Sequence, residues 1–206
     1  ILPLHLCLIY CRKKESSTSS TFPCASSRTL TASTQVPLLV VRVQYANATF
    51  QSSQTTWADK IFGTSDGQLN HYLAETTYNK YQFSPITETS GTANDGLVTV
   101  TMSGNHPNTQ KNSWNSYAFS AITATDSSIN FAAFDTDSNG KLSVSELQVI
   151  FLIAGGESAT GLNSPGGVWA MAASLLCDAD EDGSIALYES GEHGITLDNV
   201  QLLGVN

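Results

Sequence analysis

Two stretches of the sequence set carboxylate and amide side chains at every second position before a glycine. The first runs Asp135, Thr136, Asp137, Ser138, Asn139, Gly140, Lys141, Leu142, Ser143, Val144, Ser145, Glu146. The second runs Asp178, Ala179, Asp180, Glu181, Asp182, Gly183, Ser184, Ile185, Ala186, Leu187, Tyr188, Glu189. A hard cation such as calcium gathers roughly six to eight oxygens, and a twelve-residue loop of this kind supplies them. Side chains at positions 1, 3 and 5 contribute, then a backbone carbonyl at 7, a hydroxyl or water at 9, and a two-oxygen grip from Glu at 12. Position 6 turns with positive φ, which glycine adopts without steric cost. The expected ligands are therefore Asp135, Asp137, Asn139, Lys141 (carbonyl), Ser143 and Glu146 in one loop. In the other they are Asp178, Asp180, Asp182, Ser184 (carbonyl) and Glu189. A single partial match of this pattern is an ordinary polar turn; two full matches in one chain predict two calcium sites.

Other chemistry is harder to assemble. No H-E-x-x-H is present to place two His ligands and a Glu base on one helical face. His5, His71, His106 and His193 are scattered, and none has a histidine partner four residues on. His71 and His193 read as surface or capping residues. Gly63-Thr64-Ser65-Asp66-Gly67 spells G-x-S-x-G but falls between two predicted helices and not on the strand-to-helix turn of a nucleophile elbow. Gly155 to Gly167 lacks the Gly-Lys-Ser/Thr ending of a phosphate loop, so it reads as a surface loop. A glycosidase-type carboxylate pair stays open, but the obvious carboxylate clusters belong to the two loops. Cys7, Cys11, Cys24 and Cys177 form no C-x-x-C pair; Cys177 reads as a small buried hydrophobe.

The charge follows the loops. Of 18 acidic residues, eight (Asp135, Asp137, Glu146, Asp178, Asp180, Glu181, Asp182, Glu189) lie inside them, so the formal charge of −9 is metal-site charge and not an acidic binding face. Beyond Arg12-Lys13-Lys14 there is no basic patch, which argues against a nucleic-acid partner. The low charged fraction of 13%, with abundant Ser, Thr, Asn and Gly, is what many secreted bacterial proteins show.

The elements that would hold the loops come next. The chain opens at Ile1 with an apolar run to Tyr10, too short to span a bilayer, and its charges follow the run where a secretory signal would have them first. It reads as the remnant of a signal or anchor, or as an ordinary strand. Residues 1–35 are assigned as a disordered Ser/Thr-rich tail and 36–206 as the folded domain. Leu38 to Tyr45 predicts a central strand, with the folded part opening at Pro37. Asn47-Ala48-Thr49 is a weak glycosylation match. Helices are predicted over Thr55–Phe62, from Leu69 onward with Leu69, Tyr72 and Leu73 on one face, and over Ser113–Thr125 with Trp114, Tyr117, Ala118, Ala121 and Ile122 at i, i+3, i+4 spacing. Strands are predicted over Tyr81–Ile86, Leu97–Met102 and Val149–Ile153. The flanks of the first loop therefore depart from a helix-loop-helix unit: Ser128–Phe134 allows two turns at most, and the exit is a strand. Gly191 and Gly194 cut short any exit helix of the second.

The order of segments resembles the immune-inhibitor-A-type zinc metallopeptidases, a family of secreted bacterial proteases. The matching pieces are Pro37 to Val43, Leu69 to Pro85 (similar to Y-Y-x-E-x-S-Y-G-K-F-x-F-x-P), Ile129 to Phe131 before the first loop, and Val149 to Gly155 before Val168-Trp169-Ala170. The resemblance implies an α/β fold, a partial zincin-like metallopeptidase domain with a mixed sheet, helices and the two EF-hand-like calcium loops. It also implies a secreted or extracellular bacterial location. Met171 stands where the family has a His. The family's zinc helix follows the segment resembling Ile195 to Leu203, and the chain ends at Asn206, about where that helix begins. Zinc and a protein or peptide substrate are thus expected only of a longer parent protein. The reading is an N-terminal fragment of a secreted metallopeptidase-like protein in which calcium is a structural stabiliser, without catalytic competence of its own. The rival is an EF-hand binding or sensor module, which requires an amphipathic helix over Val144–Ile153. A third reading is an active enzyme whose residues follow no recognised pattern.

Overall fold

The computed structural model describes residues 33–107, 114–157, 167–168 and 194–202. The expected tail up to residue 32, the four cysteines, His193 and the second loop, 178–189, lie outside the described residues.

The fold is built around one long strand. Leu38 to Val43 is an unbroken run of buried residues, as a strand covered on both faces requires. This strand, β1 (Thr34–Tyr45), starts four residues earlier than the composition indicates, because Thr34 to Pro37 already pair with a neighbour. It is followed by α1 (Gln54–Phe62), α2 (Leu69–Thr77), β2 (Tyr81–Pro85), β3 (Leu97–Met102) and α3 (Trp114–Thr123). The remaining strands are β4 (Lys141–Leu142), β5 (Gln148–Ile153), β6 (Gly156–Glu157), β7 (Gly167–Val168), β8 (Thr196–Leu197) and β9 (Val200–Leu202).

β2, β3 and β5 all run parallel to β1. Alternate residues of a strand direct their amides to opposite edges, which fixes the arrangement. The amides of Thr34 and Val40, an even number of residues apart, bond to Lys80 and Gly96, so β2 and β3 follow one another along one edge. The carbonyl of Val43 accepts from Ala154, which places β5 on the other edge. Among the described residues the mixed sheet implied by the family resemblance is thus found only in the small β4–β9–β8 sheet, where β9 pairs in parallel with β4 and antiparallel with β8. The main sheet is parallel, and between strands the antiparallel pairing among the described residues is that of β8 with β9. Helical crossovers (α1 and α2 before β2, α3 before β5) carry the chain back for parallel pairing.

The alternation of β1 divides the core. Leu38 and Val40 pack with Ile61, Leu97, Ile150 and Leu152 beneath α1 and α2. Leu39, Val41, Val43 and Tyr45 pack with Val98, Val100, Phe151 and the α3 residues Ala118, Ala121 and Ile122. In α3, Ala118, Ala121 and Ile122 are buried as their spacing predicts, whereas the α2 face divides: Leu69 packs against the core, Tyr72 is 62% exposed, and the buried residue of the helix is Asn70. Asn70 faces inward because its amide replaces a strand. Its Nδ2 donates to the Phe83 carbonyl (2.8 Å) and its Oδ1 accepts from the Phe83 amide (2.8 Å). Thr77 serves Tyr81 in the same way, its Oγ1 accepting from the Tyr81 amide at 3.1 Å.

Candidate metal centre

Asp135, Asp137 and Glu146 come together as the spacing predicts. One oxygen from each can be chosen so that all lie within 4.8 Å of one another, and the three residues range from exposed (Asp137) through half-buried (Asp135) to buried (Glu146). Two features of the local chain produce this. Gly140 takes φ +77, and a Cβ there would meet nothing, so the turn needs glycine for its backbone and not for space. The entry is a 3₁₀ turn, Phe131–Phe134, and the exit a short turn running into β5, with no helix on either side.

The carboxylates are held by the loop's own donors. Asp135 accepts from the amides of Asn139 (3.1 Å) and Gly140 (2.9 Å), and Asp137 from the amide and side chain of Asn139. Glu146 Oε1 accepts from the amide and hydroxyl of Thr136, at 2.9 and 2.8 Å. Its Oε2 accepts from the amide and hydroxyl of Ser143, at 3.0 and 2.8 Å. Burial pushes the Glu146 carboxyl up, but these donors from Ser143 and Thr136 together outweigh it and hold its pKa down at about 2. The group is ionised across all ordinary conditions.

This donor set fits a hard cation: three carboxylates, all oxygen, converging on one point without sulfur or imidazole. The remaining predicted ligands are arranged differently. The Asn139 side chain is turned onto the loop, its Oδ1 accepting from the Lys141 amide at 2.7 Å. Ser143 serves Glu146. Lys141 is exposed and lies in β4, and its backbone carbonyl is the group the pattern assigns to a cation. Glu146 Oε1 already takes three donors, the third being the Asp137 amide at 3.4 Å, and Oε2 takes two, so a two-oxygen grip on a cation requires the Thr136 and Ser143 hydroxyls to turn away. Asp178, Asp180, Asp182, Ser184 and Glu189 lie outside the described residues.

A distant segment completes the frame. β4 pairs in parallel with β9, the Gln201 amide donates to the Gly140 carbonyl at 2.8 Å, and the Asp198 carboxylate accepts from the Phe131 amide at 2.8 Å. Asp198 and Asn199 both have positive φ (50 and 65), the geometry of a tight hairpin between β8 and β9. This clamp was not foreseen from the sequence. Its signal was the Asp-Asn pair between two short apolar runs, since these residues tolerate the left-handed region.

His71, the described histidine that could be tested for catalysis, lines a surface groove of about 490 Å³ with Lys60, Asp66, Gln68, Tyr72 and Glu75. Its Nδ1 stands 4.0 Å from Asp66 Oδ1, and the lining holds no Ser, Cys or second His. No helix among the described residues is long and apolar enough to cross a membrane. Comparison with protein-family models, with curated proteins and with solved structures finds no match.

Proposed function

We propose that the chain is a calcium-binding α/β domain in which the ion is a structural clip. The convergence of Asp135, Asp137 and Glu146 in a loop turned by Gly140 carries this reading. A role in rigidity is favoured over signalling by what flanks the loop. A sensor opens a groove between paired helices; here Val144–Ile153 holds a turn and β5, and the loop is stitched to the β8–β9 hairpin. A cation that draws the three carboxylates together also fixes β4, and through it the contact with β9. Three like charges at this separation repel one another without the ion, and a ligand that binds only the folded state adds stability by mass action.

The test is calorimetric titration of the chelator-treated protein with calcium, in parallel with melting curves. Binding with Kd of about 10⁻⁴ to 10⁻³ M, the range of extracellular modules, and a melting temperature that rises with calcium are expected. An unchanged melting curve from excess chelator to excess calcium removes the clip. Calcium-induced binding of a hydrophobic dye, with melting unaffected, points instead to the sensor. The second part of the proposal is that the loop belongs to the N-terminal portion of a secreted metallopeptidase-like protein, with the 178–189 loop as a second calcium site. The parentage is supported by segment order alone, and the second site by the match of Asp178 to Glu189 to the calcium-loop pattern. Zinc content and casein digestion, measured on the whole parent protein, test it, and a parent without zinc or proteolysis overturns it.

A further inference from the structure

The described residues contain four buried side-chain polar atoms without a hydrogen-bond partner, and three of them lie at one place. They are His106 Nδ1, His106 Nε2 and the Tyr45 hydroxyl; the fourth is Arg42 Nε. His106 is 7% exposed and Tyr45 2%. The His106 ring meets the Tyr45 ring edge-on, with centroids 5.4 Å apart. On its other side the ring lies against the backbone of Gly155, where a Cβ would stand 2.5 Å from Cδ2 and 2.6 Å from Nε2. Gly155 is at φ +132, so both conformation and contact demand glycine there.

The position of this cluster gives it consequence. Tyr45 ends β1, the 103–107 turn follows β3, and Ala154 and Gly155 follow β5, so the cluster closes the carboxyl ends of three parallel strands. The turns are tied together by the His106 amide donating to Asn47 Oδ1 (2.7 Å), by the Ala46 amide donating to the Gly104 carbonyl (3.2 Å), and by Ala154 donating to Val43 (2.8 Å).

A neutral imidazole here already forgoes a donor and an acceptor partner. A protonated one would bury a full charge and a second unpaired donor, which is far more costly. Among the described residues nothing supplies the opposite charge. The titratable group facing the ring is Tyr45 from β1, with Tyr117 of α3 behind it; Asn47, Ala154 and Gly155 carry none. Burial pushes Tyr45 up to about 12, with Tyr117 adding to the shift, so it stays neutral. Burial also lowers the His106 pKa, and the Pro107 carbonyl beside the ring, which falls short of hydrogen-bond geometry with either nitrogen, acts in the opposite sense.

We propose that His106 is an acid-sensitive latch: its neutral ring, wedged between Tyr45 and the Gly155 backbone, holds the turns at the carboxyl ends of β1, β3 and β5 together, and gaining a proton releases them. The sign follows from linkage. With the folded-state pKa below the unfolded value of about 6.5, the contribution is complete above about pH 6.5 and is lost as pH falls through the folded value. This device is independent of the calcium proposal.

The test is amide hydrogen exchange of the full chain at Ala46 and His106 in constant excess calcium, from about pH 7.5 to about pH 5, corrected for intrinsic exchange. Coupling to one proton makes the opening equilibrium rise by up to about tenfold per pH unit inside the window. His106→Phe, which fills the space and cannot ionise, is expected to show no rise. Equal slopes in the two proteins, or a flat wild type, overturn the latch. Should the variant fail to fold, the wild-type ring resonance decides. Protonation that coincides with loss of protection at Ala46 supports the proposal; a ring that titrates near the ordinary value with protection intact overturns it.

Discussion

Two loops of this protein are organised by a buried glutamate, and they put that glutamate to opposite use. Between β2 and β3, Glu88 is 1% exposed; its Oε2 accepts from the Ser90 amide at 2.6 Å and its Oε1 from the Asp95 amide at 3.0 Å. Before β5, Glu146 collects amides and hydroxyls from Thr136 and Ser143. Burial raises the pKa of Glu88, the nearby Asp95 charge adds to it, and the amides of Ser90, Asp95 and Asn94 recover only part. For Glu146 the balance falls the other way. The neighbours explain the difference. Asp95 turns away to the Leu97 amide and the Gln54 side chain, which leaves Glu88 as a lone staple. Asp135 and Asp137 converge with Glu146, which concentrates three carboxylates within 4.8 Å of one another. A buried carboxylate that holds a turn is therefore a common device; convergence of a second and third carboxylate is what marks a cation site.

Removing each glutamate separates the two roles. With calcium present, Glu146→Ala is expected to cost about 3–5 kcal/mol, since it deletes the charged acceptor of several donors and the ion with it. In excess chelator the loss should shrink to about 1–3 kcal/mol. Denaturant melts with and without calcium measure both, and equal losses would erase the distinction between the loops. Glu88→Ala is expected to cost about 2–3 kcal/mol by leaving two amides unsatisfied, with the same value in calcium and in chelator. A calcium-dependent loss there would mean the Glu88 loop also holds an ion. Asp198→Ala removes the acceptor of the Phe131 amide and should cost about 1 kcal/mol while weakening calcium binding, because the clamp and the loop share a frame. The smallest net effect is that of acid on the calcium-free protein, since the two glutamates oppose each other. Glu146, depressed to about 2, contributes stability above about pH 4.5 that is lost as pH falls toward 2. Glu88, raised, binds its proton more tightly when folded and adds stability as pH falls through its folded value. Glu88→Ala should therefore steepen the acid transition and Glu146→Ala flatten it, read from urea midpoints against pH.

The local features of the fold could be read from the sequence because they are set by neighbours in the chain. Leu38–Val43 spells a doubly buried strand, Ala118, Ala121 and Ile122 spell one face of α3, and the Asp135 loop is written residue by residue. What escaped was decided by distant partners. Parallel pairing with β1 depends on crossovers of many residues, so a mixed sheet was expected where a parallel one forms. Tyr72 follows the helical period of Leu69 and Leu73, yet Asn70 takes the interior because Phe83 offers it a donor and an acceptor. Glu88, Arg42 and His106 gave no warning, since burial of a polar side chain is a property of the packed molecule. Arg42 is buried by its bonds to Thr99 Oγ1 and the Ser52 carbonyl beneath Phe50, all supplied by other elements.

The contacts of α2 with β2 bear on how the molecule behaves in a crowd. An outer strand offers a row of unsatisfied backbone groups on which a foreign chain can grow. In β2 the outward positions are Tyr81, Phe83 and Pro85. Thr77 takes the amide of the first, Asn70 takes both groups of the second, and the third has no amide to give. The margin of the sheet is thus sealed along β2 by two side chains and an imino acid, and self-templated growth of fibres has no foothold on that strand.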